Sequence, residues 1–375
     1  MADFTLTLPT LFGLEGICAD ELRHLGFENV RAENGRALCD TDAAGIVRAN
    51  LNLRTGERVL IRVGGFPAPN FDALYDGVRA LSWEDFIPKD GAFPVRCRTI
   101  DSQLSSQQRC GAVIRAAVGD RLGEAYGLEH MPETGGEYQV RLTLMHDMAE
   151  LFIDTTGPSL HKRGYRALSV EAPLRETLAA GMVILSRYRG RDPFRDPFCG
   201  SGTIPIEAAL IAKNRAPGLG RSYAAQRWPW LSSTLWEEEK TRARDLEYHG
   251  TYDILGTDID PAAVALARDN AAKAGVGDMV RFEVADARAF GPKDPTGRVV
   301  TNPPYGERLS DKREAEVLYR DFGRAWKGVP PGWSLTLLNS HTEFERTFGK
   351  VADKKRKLYN GMLKCDVFLY HGKKG

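Results

Sequence analysis

The sequence predicts an α/β protein in which a C-terminal doubly wound parallel sheet follows an N-terminal α+β part. The second half of the chain alternates short apolar strands with helices, the pattern of a parallel sheet covered on both faces. Glycine-rich, acidic or proline-rich turns follow four of these strands. The first half contains helices and strands with hairpin signals, and a segment rich in Gly, Pro and basic residues at 155–169 separates the halves as a linker would.

The composition excludes several classes of protein. The 375 residues, 42% hydrophobic and 27% charged, are typical of a globular chain of two or more domains rather than a disordered or collagen-like one. No apolar run approaches the length of a membrane helix, and residues 1–9 lack the basic start of a signal peptide. We therefore expect a cytoplasmic protein that makes no membrane contact.

The cysteines are scattered and show neither a CxxC motif nor the Cys/His spacing of a metal site. We expect free thiols in a reducing compartment and no bound metal. The six positions are Cys18, Cys39, Cys97, Cys110, Cys199 and Cys365.

The near-zero net charge conceals an uneven distribution. Lys and Arg number 51 against 50 Asp and Glu, but residues 1–166 carry a net −5 and residues 167–375 a net +6. The basic C-terminal part indicates a polyanionic partner. Its densest run, KVADKKRK at 350–357, is interpreted either as a solvated surface turn or as a phosphate contact.

The periodicity of the N-terminal part predicts three helices and several strands. Strands are predicted at 4–8, 58–64 and 93–100, and helices at 16–25, 43–51 and 107–122. Hairpins are predicted around Asn34-Gly35 and around His146-Asp147.

The C-terminal part is predicted to alternate strands and helices. Helices are expected at 172–188, 203–213, 261–274 and 315–326. Strands are expected just before Asp196 and at 252–257, 279–285, 297–301, 333–339 and 365–370.

The first chemistry-bearing motif is DPFCGSGT at 196–203, at a strand-to-helix turn. Two glycines let a ligand approach the backbone, and the helix N-terminus offers free amides to a negative group. The motif is neither GxGxxG nor a Walker loop. Its candidate binding residues are Asp196, Pro197, Phe198, Gly200, Ser201, Gly202 and Thr203.

Two acidic motifs follow the next two strands. In GTDID (256–260), Asp258 at the strand end can accept hydrogen bonds from both ribose hydroxyls, with Ile259 beside it, whereas Asp260 caps the next helix. In ADA (285–287), Asp286, followed by Ala287, could accept a hydrogen bond from an adenine amine or act as an ordinary helix cap.

The fourth motif, TNPPYGERL at 301–309, follows the fourth strand. Pro303 and Pro304 lack N–H donors, so their segment offers carbonyl acceptors, to which Asn302 adds an amide oxygen and Tyr305 a flat stacking face. Such a set suits a planar base that carries an amino group.

In this order, the four motifs resemble class I S-adenosylmethionine-dependent methyltransferases that modify exocyclic amines. Further segments resemble the narrower group of RlmL-like, THUMP-containing RNA guanine-N2 methyltransferases, over essentially the whole chain and without the second methyltransferase domain of some members. Those segments are HKRGYR (161–166), APLRETL (172–178), APGLGRSYAAQRW (216–228), KLYNGMLK (357–364), FGLEGICADELRHLGF (12–27) and ENGR (33–36).

The resemblance implies a ferredoxin-like element at 1–60, a THUMP-like RNA-binding domain at 61–160 and a Rossmann-like methyltransferase domain at 161–375. It implies that S-adenosylmethionine binds to the motif residues above, with Arg175, Glu176 and Thr177 closing the other side. Asn302 and the Pro303 carbonyl would accept the two N2 hydrogens of guanine, beside Tyr305 as the stacking ring.

The implied partner is RNA, either 23S ribosomal RNA or its precursor, or alternatively transfer RNA. An adenine-N6 DNA methyltransferase shares NPPY but lacks the other segments, and a non-catalytic RNA-binding assembly factor is a further alternative. The basic candidates for RNA contact, which could equally be scattered solvated side chains, are Arg96, Arg98, Arg109, Arg115, Lys162, Arg163 and Arg166. Residues 214–250, with three tryptophans, are either an RNA-stacking platform or a self-packed insertion.

Overall fold

The computed structural model describes residues 3–166, 174–306, 309–361 and 363–373 and contains two seven-stranded sheets. The first sheet has the order β2-β3-β1-β4-β7-β6-β5, and its only parallel pair among the described strands is β5–β6. Its strands are β1 (Phe4–Pro9), β2 (Glu28–Glu33), β3 (Arg36–Thr41), β4 (Leu60–Pro67), β5 (Val95–Ile100), β6 (Gln139–Met145) and β7 (Met148–Asp154). Its helices are α1 (Glu15–His24), α2 (Ala43–Asn52), α3 (Phe71–Arg79) and α4 (Gln107–Tyr126).

Local signals in the N-terminal part act as the sequence predicts. Asp42 accepts a hydrogen bond from the Gly45 amide and caps α2, and Ser106 caps α4 in the same manner. The Asn34-Gly35 turn joins β2 and β3, with Gly35 at φ +74°. The predicted division at residue 60 coincides with the start of β4, which pairs with both β1 and β7, so one sheet runs across that division.

The second sheet has the order β10-β9-β8-β11-β12-β14-β13, parallel from β10 to β12 and antiparallel at β14 and β13. Helices pack on both of its faces, which confirms the predicted doubly wound sheet. The strands are β8 (Phe194–Asp196), β9 (Ile254–Asp258), β10 (Val280–Val284), β11 (Thr296–Thr301), β12 (Gly332–Asn339), β13 (Lys354–Asn360) and β14 (Leu363–Tyr370). The helices are α5 (Glu176–Leu185), α6 (Thr203–Ala212), α7 (Ser233–Asp245), α8 (Pro261–Lys273), α9 (Leu309–Lys327) and α10 (Phe344–Phe348).

Several predicted boundaries differ from the observed ones. Helix α5 begins at Glu176 rather than at 172, and residues 167–173, which include the end of the predicted linker, lie outside the described residues. The basic run at 350–357 was predicted, in one interpretation, to be a surface turn. From Lys354 onward it is the edge strand β13, which the pattern hid because Leu358 is the only residue of that strand that is buried.

The tryptophans of residues 214–250 do not form an RNA-stacking platform. Trp228 and Trp236 are buried, and Trp230 stacks on Phe4 at 5.6 Å between ring centroids. Trp228 stacks on Tyr138 at 4.6 Å, and its Nε1 donates to the Glu137 carbonyl. The segment therefore packs into the core of the N-terminal part, which buries Trp228 and Trp236 and occupies one face of half-buried Trp230.

A charged contact joins the two parts of the chain. The Glu57 carboxylate accepts hydrogen bonds from Thr177 (2.5 Å), from Arg175 (3.3 Å) and from His161 (2.9 Å). Burial alone would raise the pKa of Glu57, but the hydrogen bonds from His161 and Thr177 lower it to about 2. The start of α5 is thus held by the N-terminal part through an ionised carboxylate.

Within the described ranges, no helix combines the length and the apolar character that crossing a membrane requires.

Candidate active site at the switch point of the second sheet

The four motifs meet at the carboxyl edge of the second sheet. From β8 the chain proceeds across the sheet to β9 and β10 on one side, and from β11 it proceeds to β12 on the other side. The order of the strands therefore reverses between the neighbours β8 and β11. In open α/β sheets, ligands bind at the carboxyl ends of the strands beside such a switch point. The residues after β8, β9, β10 and β11 are the predicted motifs.

Asp196, at the end of β8, lies at the centre of this edge. It is buried, and its Oδ1 accepts hydrogen bonds from Thr301 Oγ1 (2.6 Å) and the Phe198 amide (3.2 Å). Its Oδ2 is buried without a hydrogen-bond partner among the described residues. Burial raises the pKa of Asp196 to about 7, and nearby Asp258 adds to the rise. Thr301, which no sequence pattern singles out as a site residue, thus ties the first motif to the fourth.

The glycine loop, residues 199–203, is held open by its neighbours. The Gly200 amide donates to Asp258 Oδ2 (2.9 Å), and buried Asn270 donates to the Ser201 carbonyl (3.0 Å). A Cβ on Gly200 would meet nothing within 4 Å. The backbone at Gly200 is therefore open to the approach of a ligand.

Gly202 shows why the loop requires glycine. It has φ +83°, and a Cβ there would lie 2.9 Å from the Ala267 Cβ and 3.0 Å from the Phe282 ring. Cys199 fills the space beneath the loop, and burial raises the pKa of its thiol, so it packs as an apolar side chain and is not activated as a nucleophile.

The second and third motifs are also joined by hydrogen bonds. Asp258 accepts from the Asp260 amide through Oδ1 (3.0 Å), and its carbonyl accepts from the Ala285 amide (3.0 Å). Beside it, Ile259 is 63% exposed. Asp286 caps the turn that contains buried Ala287 and forms an ion pair with Arg288, whose hydrogen bonds lower the pKa of Asp286. The helix-cap interpretation of Asp286 is thus observed, and its cofactor role stays a prediction.

In the fourth motif, Asn302 and Tyr305 contact each other. The Tyr305 hydroxyl donates to Asn302 Oδ1 at 2.5 Å and lies beside Asn360 and Cys365, while the ring packs against the apolar core of the domain. Burial raises the pKa of Tyr305 well above its usual range, so the hydroxyl stays protonated and remains a donor. Tyr319 on α9, which the sequence analysis did not identify, donates to the Pro304 carbonyl and fixes the proline turn.

Two predicted RNA contacts are corrected by the structure. Arg163 is 5% exposed and donates to the carbonyls of Leu160 and Leu53. Arg166 forms an ion pair with Glu176 at 2.8 Å and donates to Thr203 Oγ1 at 3.3 Å. Neither guanidinium is available to a phosphate. Arg166 instead connects two predicted cofactor residues, Glu176 and Thr203.

The remaining basic candidates are exposed. Lys162, Arg96 and Arg98 lie on the surface. Arg109 covers the Phe71 ring at 4.6 Å, and Arg115 forms an ion pair with Glu133. Their RNA-binding role stays a prediction.

Three family models match the chain. The methyltransferase domain described as RMKL-like matches residues 163–368, the RlmL ferredoxin-like domain matches 5–60, and the THUMP domain matches 68–154.

Relatives match over nearly the whole chain. A Bacillus subtilis (strain 168) protein named "Putative RNA methyltransferase YpsC" is 39% identical over 100% of this chain and 97% of its own length. The "Ribosomal RNA large subunit methyltransferase K/L" of Psychromonas ingrahamii is 32% identical over 97% of this chain, which spans about half (49%) of that protein.

Solved structures agree with the fold. The structure of "SMU.472, a putative methyltransferase complexed with SAH" is 38% identical, with a TM-score of 0.95 over 100% of both chains. A Listeria monocytogenes (str. 4b F2365) structure named "predicted N6-adenine-specific DNA methylase" is 41% identical, with a TM-score of 0.94 over 99% of this chain and 96% of that one.

The doubly wound sheet and the site at its switch point define an S-adenosylmethionine-dependent methyltransferase. The chain belongs to the RMKL-like methyltransferase family, with RlmL ferredoxin-like and THUMP domains before the catalytic domain. The resemblance stated from the motifs is confirmed.

The residues at the switch point fit this cofactor. S-adenosylmethionine carries positive charge on its ammonium and sulfonium groups, and the orphaned Oδ2 of Asp196 is an acceptor without a partner. The open space over Gly200 lets a ligand approach the backbone of the loop, and Asp258 offers carboxylate oxygens at the neighbouring strand end.

Cofactor affinity is expected to increase with pH through the titration of Asp196. Its pKa of about 7 leaves the carboxyl mostly protonated at pH 6 and mostly ionised at pH 8, and only the ionised form attracts a cation. Calorimetry with S-adenosylmethionine is expected to show about tenfold tighter binding at pH 8 than at pH 6. Asp196→Asn should bind with an affinity that does not change over this interval. An equal pH dependence in both proteins would contradict the assignment.

The same titration affects the stability of the free protein with a defined sign. Because the folded pKa lies above the unfolded one, the folded state holds an extra proton between about pH 4 and 7. The stabilisation that comes from this extra proton is therefore full below about pH 4 and is lost as pH rises through about 7.

Proposed function

We propose that this protein transfers a methyl group from S-adenosylmethionine to the exocyclic N2 of a guanine in RNA, with 23S ribosomal RNA as the substrate. The hydrogen bond from Thr301 to Asp196 carries the proposal. Because of this contact, the acceptors of the fourth motif lie beside the glycine loop on adjacent strands. A base held at Asn302 would therefore lie next to the methyl donor.

Two acceptors of the fourth motif have a chemical role in this reaction. The guanine N2 lone pair is delocalised into the ring and is a poor nucleophile. Asn302 Oδ1 and the Pro303 carbonyl accept its two hydrogens, which directs the lone pair outward and stabilises the positive charge that develops on nitrogen. The bound cofactor supplies an electrophilic methyl group. The nitrogen then loses a proton to water, so no strong general base is required.

The RNA substrate is supported by the N-terminal domains and by the relatives. The match to a THUMP domain, and the names of the Bacillus subtilis and Psychromonas ingrahamii proteins, favour RNA, and the second name favours large-subunit ribosomal RNA. The Listeria monocytogenes structure is named a DNA adenine methylase, so the assay includes DNA as a control substrate.

Transfer of a labelled methyl group tests the substrate class. The purified protein is incubated with labelled S-adenosylmethionine and, separately, with unmodified 23S ribosomal RNA, transfer RNA and duplex DNA. We expect label in the 23S RNA alone. Label confined to transfer RNA would mean that transfer RNA, and not 23S RNA, is the substrate of the RNA methyltransferase. Label confined to DNA would overturn the proposal.

The ring of Tyr305, rather than its hydroxyl, is expected to serve the reaction. The hydroxyl occupies Asn302 Oδ1 in this structure, so a bound base must share or replace that hydrogen bond. Tyr305→Phe should keep kcat/KM within about threefold, whereas Tyr305→Ala should lower it about tenfold because the stacking face is lost. Steady-state kinetics of both variants checks this, and equal losses in the two would contradict it.

A further inference from the structure

The edge strand β13 presents a row of basic side chains along its edge, with Lys354 and Arg356 on one face of the strand and Lys357 on the other. Lys354, Arg356 and Lys357 are exposed, and none of them forms an ion pair with the residues that the structure describes. Lys355 differs because it is paired with Glu345 at 2.7 Å. Among the described strands β13 pairs only with β14, so no other strand covers its outer edge, and the turn at Gly13 contacts it at Lys357. An edge with this charge complements a polyanion.

The C-terminal end of this strand reaches the catalytic motif. Asn360 is its last residue and lies, with Cys365 of β14, beside the Tyr305 hydroxyl. The strand from Lys354 to Asn360 spans about 20 Å at the usual rise per residue. The basic row therefore leads from the periphery of the domain to the site that holds the target base.

An exposed aromatic ring from the N-terminal part lies next to the same strand. Phe12 is 47% exposed and meets the Tyr359 ring edge to face, with centroids 5.7 Å apart. The neighbouring Gly13 has φ +92°, and a Cβ there would lie only 2.5 Å from the Lys357 carbonyl. The turn is thus packed tightly against β13, and it holds Phe12 at the surface.

We propose that β13 and Phe12 together bind the single-stranded RNA next to the target nucleotide. Lys354 and Arg356 contact phosphates from one face of the edge and Lys357 from the other, and Phe12 stacks on a base flanking the one at Tyr305. Basic side chains beside an aromatic platform are the combination that single-stranded nucleic acid requires. Extended single strand is also the form in which a target base is free of its helix. The inference rests on the proposed RNA substrate and deepens it.

Binding measurements with matched variants test this surface. The full-length protein is titrated with a fluorescent single-stranded RNA of about 12 nucleotides that contains one guanine. The first variant changes Lys354, Arg356 and Lys357 to Gln. The control variant changes three exposed basic residues away from β13 to Gln: Lys273 at the end of α8, Arg281 on the opposite edge strand β10, where it pairs with Asp253, and Lys293 before β11. Phe12→Ala and Phe12→Tyr test the stacking ring.

The proposal predicts a specific pattern of affinities. The β13 variant should bind about 10- to 100-fold more weakly, and the loss of three phosphate contacts should reduce the slope of log K against log salt by about two, whereas the control variant binds like the wild type. Phe12→Ala should weaken binding about tenfold, and Phe12→Tyr should restore it. Unchanged affinity for S-adenosylhomocysteine shows that each variant is folded.

Failure of the surface and failure of the proposed function give different results. If the wild type binds RNA and the β13 variant binds it equally well, the surface is overturned while the RNA substrate stands. If the wild type binds a DNA strand of the same sequence but not the RNA, both are overturned.

Discussion

Replacement of Asn302 by Ala is expected to lower the rate of methyl transfer about 10²- to 10³-fold. Its Oδ1 is the side-chain acceptor that the proposed chemistry places on the amino group, and no other described side chain in the motif supplies a carbonyl oxygen there. Single-turnover kinetics with saturating RNA and cofactor measures the effect on the chemical step. Affinities for RNA and for S-adenosylhomocysteine should change little, because the loss concerns the transition state.

Asn52→Ala provides the control for this experiment. Asn52 is the last residue of α2, and its amide donates to the Arg48 carbonyl within the same helix. Its rate should equal that of the wild type. A full single-turnover rate in Asn302→Ala would refute the role of Asn302, and a loss of RNA affinity equal to the loss of rate would make it a binding residue only.

Replacement of Asp258 by Asn is expected to weaken cofactor binding about 10- to 100-fold. The carboxylate accepts a hydrogen bond from the Gly200 amide and is the predicted acceptor for the ribose hydroxyls. Removing its charge therefore weakens both hydrogen-bonding contacts, the one to the loop and the one to the ligand. Calorimetry with S-adenosylmethionine measures the change. RNA affinity, which does not depend on this carboxylate, should be unaffected.

Asp269→Asn is the matched control for Asp258. Asp269 is an exposed carboxylate on α8 that contributes nothing to the glycine loop. Equal cofactor affinity in Asp258→Asn and in the control would move the ribose site elsewhere in the domain.

Local patterns made most of the second sheet and all four motifs predictable. A strand that ends in Gly-Thr-Asp, and a helix that begins at Asp260-Pro261, carry their signals in adjacent residues. The order of the motifs along the chain then places them at one edge, since parallel strands share their carboxyl ends.

Contacts between distant segments could not be predicted in this way. In the sequence, the tryptophans at 228, 230 and 236 are compatible with an RNA-stacking platform. In the structure they pack against the hydrophobic core of the N-terminal part. In the sequence, Arg163 lies in a basic segment and is a candidate phosphate contact. In the structure its buried guanidinium donates to the Leu53 carbonyl, which is 110 residues away along the chain. The bond from Thr301 to Asp196 likewise joins residues 105 positions apart.

The identity of the methylated nucleoside tests the central claim most directly. The wild-type protein and Asn302→Ala are incubated with unmodified 23S ribosomal RNA and S-adenosylmethionine, and the RNA is digested to nucleosides for mass spectrometry. The account predicts N2-methylguanosine with the wild type and almost none with the variant. N6-methyladenosine, or a methylated pyrimidine, in place of N2-methylguanosine would contradict it.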